Sequence, residues 1–220
     1  MLQLPEKEKE LRLLCKDTSL DFEKFKLLIQ LGIDVNGKDE DGNNALHLLC
    51  INNTREILID AINLLVKFRI DVKGENNYGN NALHLLCLHN SSEGLIDAIK
   101  LLIQHGIDVN SRDNYGRNAL HYLCYFNSSD KLIDAIELLI EHKIDVHGTD
   151  KDGWNALHLL CRFNSSEKYY EAITLLIRLG IDVKSNNIDA RNLLRNNSTF
   201  NQSEKNNDIM QLLDRATLAK

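Results

Sequence analysis

Proline is nearly missing from this chain, with Pro5 the only one among 220 residues, and tryptophan occurs once, as Trp154. No run of about 18 apolar residues is present, which excludes the sequence signature of a membrane-spanning helix. Met1 to Glu10 is rich in Lys and Glu where a secretory leader needs an apolar stretch. The expected location is therefore cytoplasmic, with the nucleus open to it. Basic residues are not in excess: 26 Lys and Arg stand against 32 Asp and Glu, a net charge of −6, with the two signs interspersed. A nucleic-acid binder carries a basic stripe, so DNA and RNA are not the expected partners. A Gly-rich phosphate loop, a G-x-S-x-G elbow and an H-E-x-x-H helix are all missing. The chain reads as a non-enzyme without cofactor, metal or small-molecule substrate.

What the chain does have is a period. Gly42, Gly79, Gly116 and Gly153 recur at intervals of 37 residues together with His47, His84, His121, His158 and Cys50, Cys87, Cys124, Cys161. A fixed spacing of this size marks stacked copies of one supersecondary unit. One copy runs from Asn76-Asn77-Tyr78-Gly79-Asn80-Asn81-Ala82-Leu83-His84 to Gly106-Ile107-Asp108-Val109-Asn110, with two apolar segments between. This pattern resembles the ankyrin repeat, with its D-x-x-G turn, its T-P-L-H helix start, a helix pair and a terminal G-A-D-V-N. The resemblance spans nearly the whole chain and implies an all-α solenoid of helix-turn-helix units joined by short β-turn or hairpin loops.

Departures from the family pattern have physical readings. Thr-Pro is replaced by Asn44, Asn81, Asn118 or Asn155 followed by Ala, and Asn caps a helix at least as well as Thr because its side-chain oxygen accepts from free N–H groups of the first turn. Each copy is about one helical turn longer than the ordinary repeat. The extra residues begin Asn-Ser-Ser-Glu at Asn90 and Asn164 and Asn-Ser-Ser-Asp at Asn127, which reads as a capping box opening a lengthened second helix. In that helix Leu95, Ala98, Ile99, Leu102 and Ile103 form the expected buried stripe. It ends before Gly32, Gly106 and Gly180, but Arg69 and Lys143 occupy that place in the other copies, where a left-handed residue would be strained.

The register extends to both ends. Leu11 to Cys15 matches Leu46 to Cys50, and Asn192-Leu193-Leu194-Arg195 stands 37 residues after Asn155-Ala156-Leu157-His158, so both terminal units exchange the motif His for Arg. Residues 1–220 are read as one domain: an N-terminal capping repeat at 1–37, internal repeats at 38–74, 75–111, 112–148 and 149–185, and a C-terminal capping repeat at 186–220. Capping repeats present a polar outer face to water.

Four His/Cys pairs invite a metal or nucleophile reading. Equivalent atoms in neighbouring copies lie about 8–10 Å apart, too far for one zinc with bonds near 2.0–2.3 Å and beyond the roughly 7 Å Cα limit of a disulfide. Cys is then a small buried hydrophobe, and the resemblance implies a His bonded to backbone near the turn. Asn52, Asn90, Asn127 and Asn164 begin N-glycosylation sequons, but free thiols and the missing leader favour helix capping for them. The family also includes substrates of an asparaginyl hydroxylase; Asn36 and Asn110 match its preference for Leu eight residues earlier and an apolar residue just before, whereas the other copies carry Lys73, His147 and Lys184.

Positions where the copies disagree are free of the stacking constraint and open to a partner. The turns differ at Tyr78, Tyr115, Arg117 and Trp154, and the residues after the motif Cys differ at His89, Tyr125, Phe126, Arg162 and Phe163. Trp, Tyr and Arg are the types most enriched at binding hot spots. The resemblance implies that turn tips and first helices line a concave binding face. These nine residues are the candidate contacts for a partner protein, centred on the third and fourth internal copies. Phe126 and Phe163 have a competing reading as core under the second helix. The expected function is a protein-binding adaptor, scaffold or inhibitor, monomeric on its own; a self-assembling solenoid and a thiol- or metal-responsive protein are the alternatives.

Overall fold

The computed structural model describes residues 4–52, 57–90, 92–126, 130–163, 168–197 and 206–218. The chain divides into two compact units, Met1–Asn114 and Tyr115–Lys220. The fold is all-α with ankyrin-repeat architecture.

In the first unit the first helices α1 (Leu4–Lys16), α3 (Ala45–Asn52) and α5 (Ala82–His89) pack in sequence order, as do the second helices α2 (Phe22–Gln30), α4 (Ile57–Lys67) and α6 (Leu95–Gln104). In the second unit α7 (Ala119–Phe126), α9 (Ala156–Phe163) and α11 (Ala190–Arg195) form one row, and α8 (Leu132–Glu141), α10 (Tyr169–Arg178) and α12 (Asn206–Leu218) the other. Between α10 and α11 lies a two-stranded hairpin, β1 (Lys184–Ser185) and β2 (Ile188–Asp189).

Each internal first helix is apolar nearly all round, as a helix buried between neighbours must be: in α5 Ala82, Leu83, Leu85, Leu86 and Cys87 are all buried. Each second helix buries one stripe. In α6 this comprises Leu95, Ala98, Ile99 and Leu102, while Ile103 is only half-buried.

The Asn caps form as the sequence indicates, and His completes them. Asn81 Oδ1 accepts from the His84 backbone N–H at 3.1 Å, and the Asn81 backbone N–H donates to His84 Nδ1 at 3.2 Å. This is a reciprocal capping box with His in the place of Glu or Gln. The same exchange joins Asn44 to His47, Asn118 to His121 and Asn155 to His158. Because Nδ1 accepts, the imidazole proton sits on Nε2, which donates to Gly74 O from His47, Ser111 O from His84 and Val183 O from His158. The motif His thus ties the start of its helix to the loop that leaves the same copy.

Three expectations require correction. The residues at Asn90 do not open the second helix. Asn90 ends α5, its backbone N–H bonding Leu86 O, and its side chain folds into a local turn that accepts from Ser92 N and Oγ. Helix α6 begins at Leu95 after Gly94, which makes no side-chain cap, so the extra residues of this copy lie mainly in the connection. The equivalent stretches at Asn127 and Asn164 lie outside the described residues. Second, the C-terminal register shifts by three. Asn186 and Asn187, both at positive φ, close a two-residue hairpin, so α11 starts at Ala190 with Asp189 as its cap. The counterpart of His158 is then Asn192, not Arg195. Third, Asn52 caps no following helix: its amide donates to Leu48 O within α3.

The left-handed sites are where the sequence puts them. Gly32, Gly106 and Gly180 have φ of 77°, 82° and 78°, and Arg69 and Lys143 adopt 62° and 63°. Asn36 spans the Arg69 link, its amide donating to Arg69 O at 3.1 Å and its carbonyl accepting from Asp71 N at 2.7 Å.

Candidate functional site

Each turn is built on an Asx residue. Asp150 N–H donates to Trp154 O, Gly153 N–H donates to Asp150 O, and Asp150 Oδ1 accepts from the backbone of Asp152 and Trp154. Asp39 and Asn76 organise their turns identically. Successive turns are joined by backbone bonds, Asn77 N to Asp41 O, Asn114 N to Tyr78 O and Lys151 N to Tyr115 O. Within each unit these bonds hold neighbouring turn tips together, and variable side chains on them have a defined placement.

In the second unit this scaffold gathers six of the nine candidates. Arg117 reaches the next turn and pairs through Nε with Asp150 Oδ2 at 3.1 Å, a carboxylate 1 % exposed. Its guanidinium carbon lies 5.6 Å from the centre of the Tyr115 ring and 5.7 Å from that of Tyr125, within the range of cation–π attraction. Tyr125 meets Phe163 edge-on at 4.6 Å. Trp154 lies 6.0 Å from Phe163 and 6.3 Å edge-on from His158. Arg162 covers the Phe163 ring at 5.4 Å. Tyr115 remains 56 % exposed and Phe163 41 %, while Trp154 and Tyr125 are half-buried. Phe163 is thus a surface ring and not core; the Phe126 side chain lies outside what is described.

Tyr78 and His89 belong to the first unit. Tyr78 is exposed, with its hydroxyl 3.3 Å from Asp41 Oδ1, and His89 is exposed at the end of α5. Asp150 was not among the sequence candidates. The signal for it was present, since it is the turn acid one copy after Arg117, but the pairing is visible only across two copies.

The thiols are withdrawn from solvent. All five cysteines are buried, and burial pushes Cys50 up to about 12 and raises Cys15, Cys124 and Cys161 as well. A thiolate is the reactive and metal-binding form, and no cluster of metal-ligating side chains occurs among the described residues. Burial also lowers His47 to about 4 and lowers His84 and His158, keeping them neutral. Among the described residues no helix is long and apolar enough to cross a membrane.

The family model described as ankyrin repeats in three copies matches residues 11–113 and residues 91–187. Comparison with curated proteins gives no match. The two family matches together cover most of the chain, and they coincide with the repeated turns, His-capped helices and left-handed exits described above: the chain belongs to the ankyrin-repeat family, whose repeats are protein-interaction modules.

Proposed function

We propose that this chain is a non-enzymatic adaptor, scaffold or inhibitor that binds a partner protein through the aromatic and arginine surface of its second unit. The observation that carries the reading is the exposure of Tyr115 on a hydrogen-bonded turn and of Phe163 at the end of α9, with Arg162 lying over the Phe163 ring. Large aromatic groups left in water cost free energy on a surface that has no structural use for them, and they are the side chains from which interfaces draw most of their energy. A preformed surface binds without a large ordering cost. Tyr78 and His89 are proposed as further contacts presented by the first unit.

Affinity purification with quantitative mass spectrometry, comparing wild type with a Tyr115→Ala, Arg162→Ala, Phe163→Ala variant of unchanged circular dichroism, tests this. A protein retained by the wild type and lost by the variant is the expected result. Equal recovery would move the binding face elsewhere, and concentration-dependent oligomers in sedimentation, abolished by the same substitutions, would mean that the face serves self-assembly.

A further inference from the structure

The same face carries information about the chemistry of its occupant. The chain is acidic overall, yet the cations beside the aromatic cluster are left over once internal pairing is complete. Arg117 is consumed by Asp150. Arg162 is exposed, its guanidinium lying over Phe163, and no carboxylate among the described residues pairs with it. Lys151, exposed at the turn tip, also has no ion-pair partner there. The opposing charge is Asp152, at the adjacent position on the turn. Elsewhere in this unit Arg191 pairs with Asp189 and Asp214, Lys184 with Asp189, and Lys168 with Glu171.

An arginine held over an aromatic ring by cation–π attraction can still present N–H groups to a planar carboxylate, with less side-chain entropy left to lose. Beside it Tyr125 packs edge-on against Phe163 and Trp154 lies tilted by 31° against the same ring, so the three rings offer an apolar platform next to that cation. Resting on the reading of this face as a binding surface, we propose that its occupant is an acidic peptide segment of a partner protein in which a carboxylate stands next to an aromatic residue. The carboxylate engages Arg162, and the aromatic residue packs on the Phe163 platform. A single-stranded nucleic acid would also offer negative charge and stacking rings, but it needs a cationic groove along its backbone, and the described residues here supply Arg162 and Lys151 with the acid Asp152 next to Lys151 in the chain.

The test is selection of a random peptide library displayed on phage against the intact protein, followed by fluorescence-anisotropy titration of the synthetic winners. Titrations use wild type, Arg162→Glu, Arg162→Lys and Phe163→Ala, each checked for fold by circular dichroism. Expected winners pair Asp or Glu with Phe, Tyr or Trp. Their affinity should fall about tenfold or more on Arg162→Glu, less on Arg162→Lys, and with rising salt. Winners that depend on Phe163 but carry no acidic residue would overturn the acidic-peptide assignment and leave the binding face intact. Winners indifferent to all three substitutions would overturn both. Failure to enrich any peptide, or tighter binding of labelled oligouridine than of the best peptide, would overturn the assignment, with the purification experiment above still deciding the face.

Discussion

At the scale of single residues, backbone sign and available space are separable, and two glycines separate them. Gly79 and Gly106 both lie at positive φ, 76° and 82°. A Cβ at Gly79 would stand 2.7 Å from the backbone nitrogen of Asn114, whereas at Gly106 the nearest atom is the end of the Lys73 side chain at 3.8 Å. Gly106→Ala should cost about 1 kcal/mol from conformation alone, and Gly79→Ala distinctly more, because the obstacle is backbone that joins two turns. Urea unfolding of both variants checks this; equal losses would show that the turn yields freely. The reverse substitution probes the same strain. Arg69 sits at φ 62° with its carbonyl held by Asn36, and glycine at 69 keeps that bond while removing the side chain that disfavours the conformation. Arg69→Gly is expected to be neutral or stabilising by up to about 1 kcal/mol, and a clear loss of stability would mean that the Arg69 side chain does something its backbone does not disclose. The left-handed conformation of Arg69 and Lys143 was legible from the period, because a residue that breaks a repeated glycine inherits its conformation; that of Asn186 and Asn187 was not.

At the scale of elements, the first helices depend on a cap that is shared between two side chains. Asn81→Ala should cost roughly 1 kcal/mol, and His84→Ala more, since it removes the other half of the box and the bond to Ser111 O that anchors the loop leaving the copy. If the Asn substitution proves the costlier of the two in thermal unfolding, the loop anchor is unimportant. The cap itself was readable, because Asn stands directly before an apolar helical run in four copies. The connection after that run was not. Asn90 followed by Glu93 has the local pattern of a helix start, but the same Asn oxygen closes a turn on Ser92, and short-range pattern cannot tell a chain leaving one helix from a chain entering the next. The C-terminal unit was misread for a different reason. Leu193 and Leu194 keep an apolar pair in register with Leu157 at the 37-residue spacing, which conceals the three residues lost before α11, where the Asn186-Asn187 hairpin tightens the connection. Apolar residues are common enough to agree by coincidence; the cap, Asp189, is the more discriminating mark.

At the scale of the whole molecule, repetition explains both what could be read and how stability responds to pH. The candidate surface was visible as disagreement between copies, since Trp154, Phe163 and Arg162 stand where other copies carry different chemistry. What disagreement could not reveal is that Arg117 turns back onto a buried acid while Arg162 stays outside, because that depends on which carboxylate the next turn leaves within reach. The shared positions, in contrast, act together. His47, His84 and His158 are all lowered, chiefly by burial and for His47 to about 4. Below about pH 6.5 the unfolded chain takes up protons that the folded imidazoles refuse, so the unfolded state binds more protons and stability rises with pH. Their contribution is complete above that value and is lost as pH falls toward 4, on the order of 3 kcal/mol for His47 alone. Asp39 and Asp189, lowered on balance by hydrogen bonds and neighbouring Lys16 and Arg191, lose their contributions further down, below the ordinary carboxylate range. At the alkaline end the sign reverses: thiols raised by burial stay protonated in the fold while those of the unfolded chain ionise, so stability declines again above about pH 9. Urea midpoints measured against pH should trace this dome. A His47→Gln, His84→Gln, His158→Gln variant removes most of this limb, since Gln can accept the same cap bond without titrating; between about pH 7 and about pH 5 its midpoint should fall distinctly less than that of the wild type, the remainder including His89, which burial also lowers. Parallel curves in that interval would mean that the imidazoles titrate alike in the folded and unfolded chains, and that the repeated His is a geometric device with no protonic consequence.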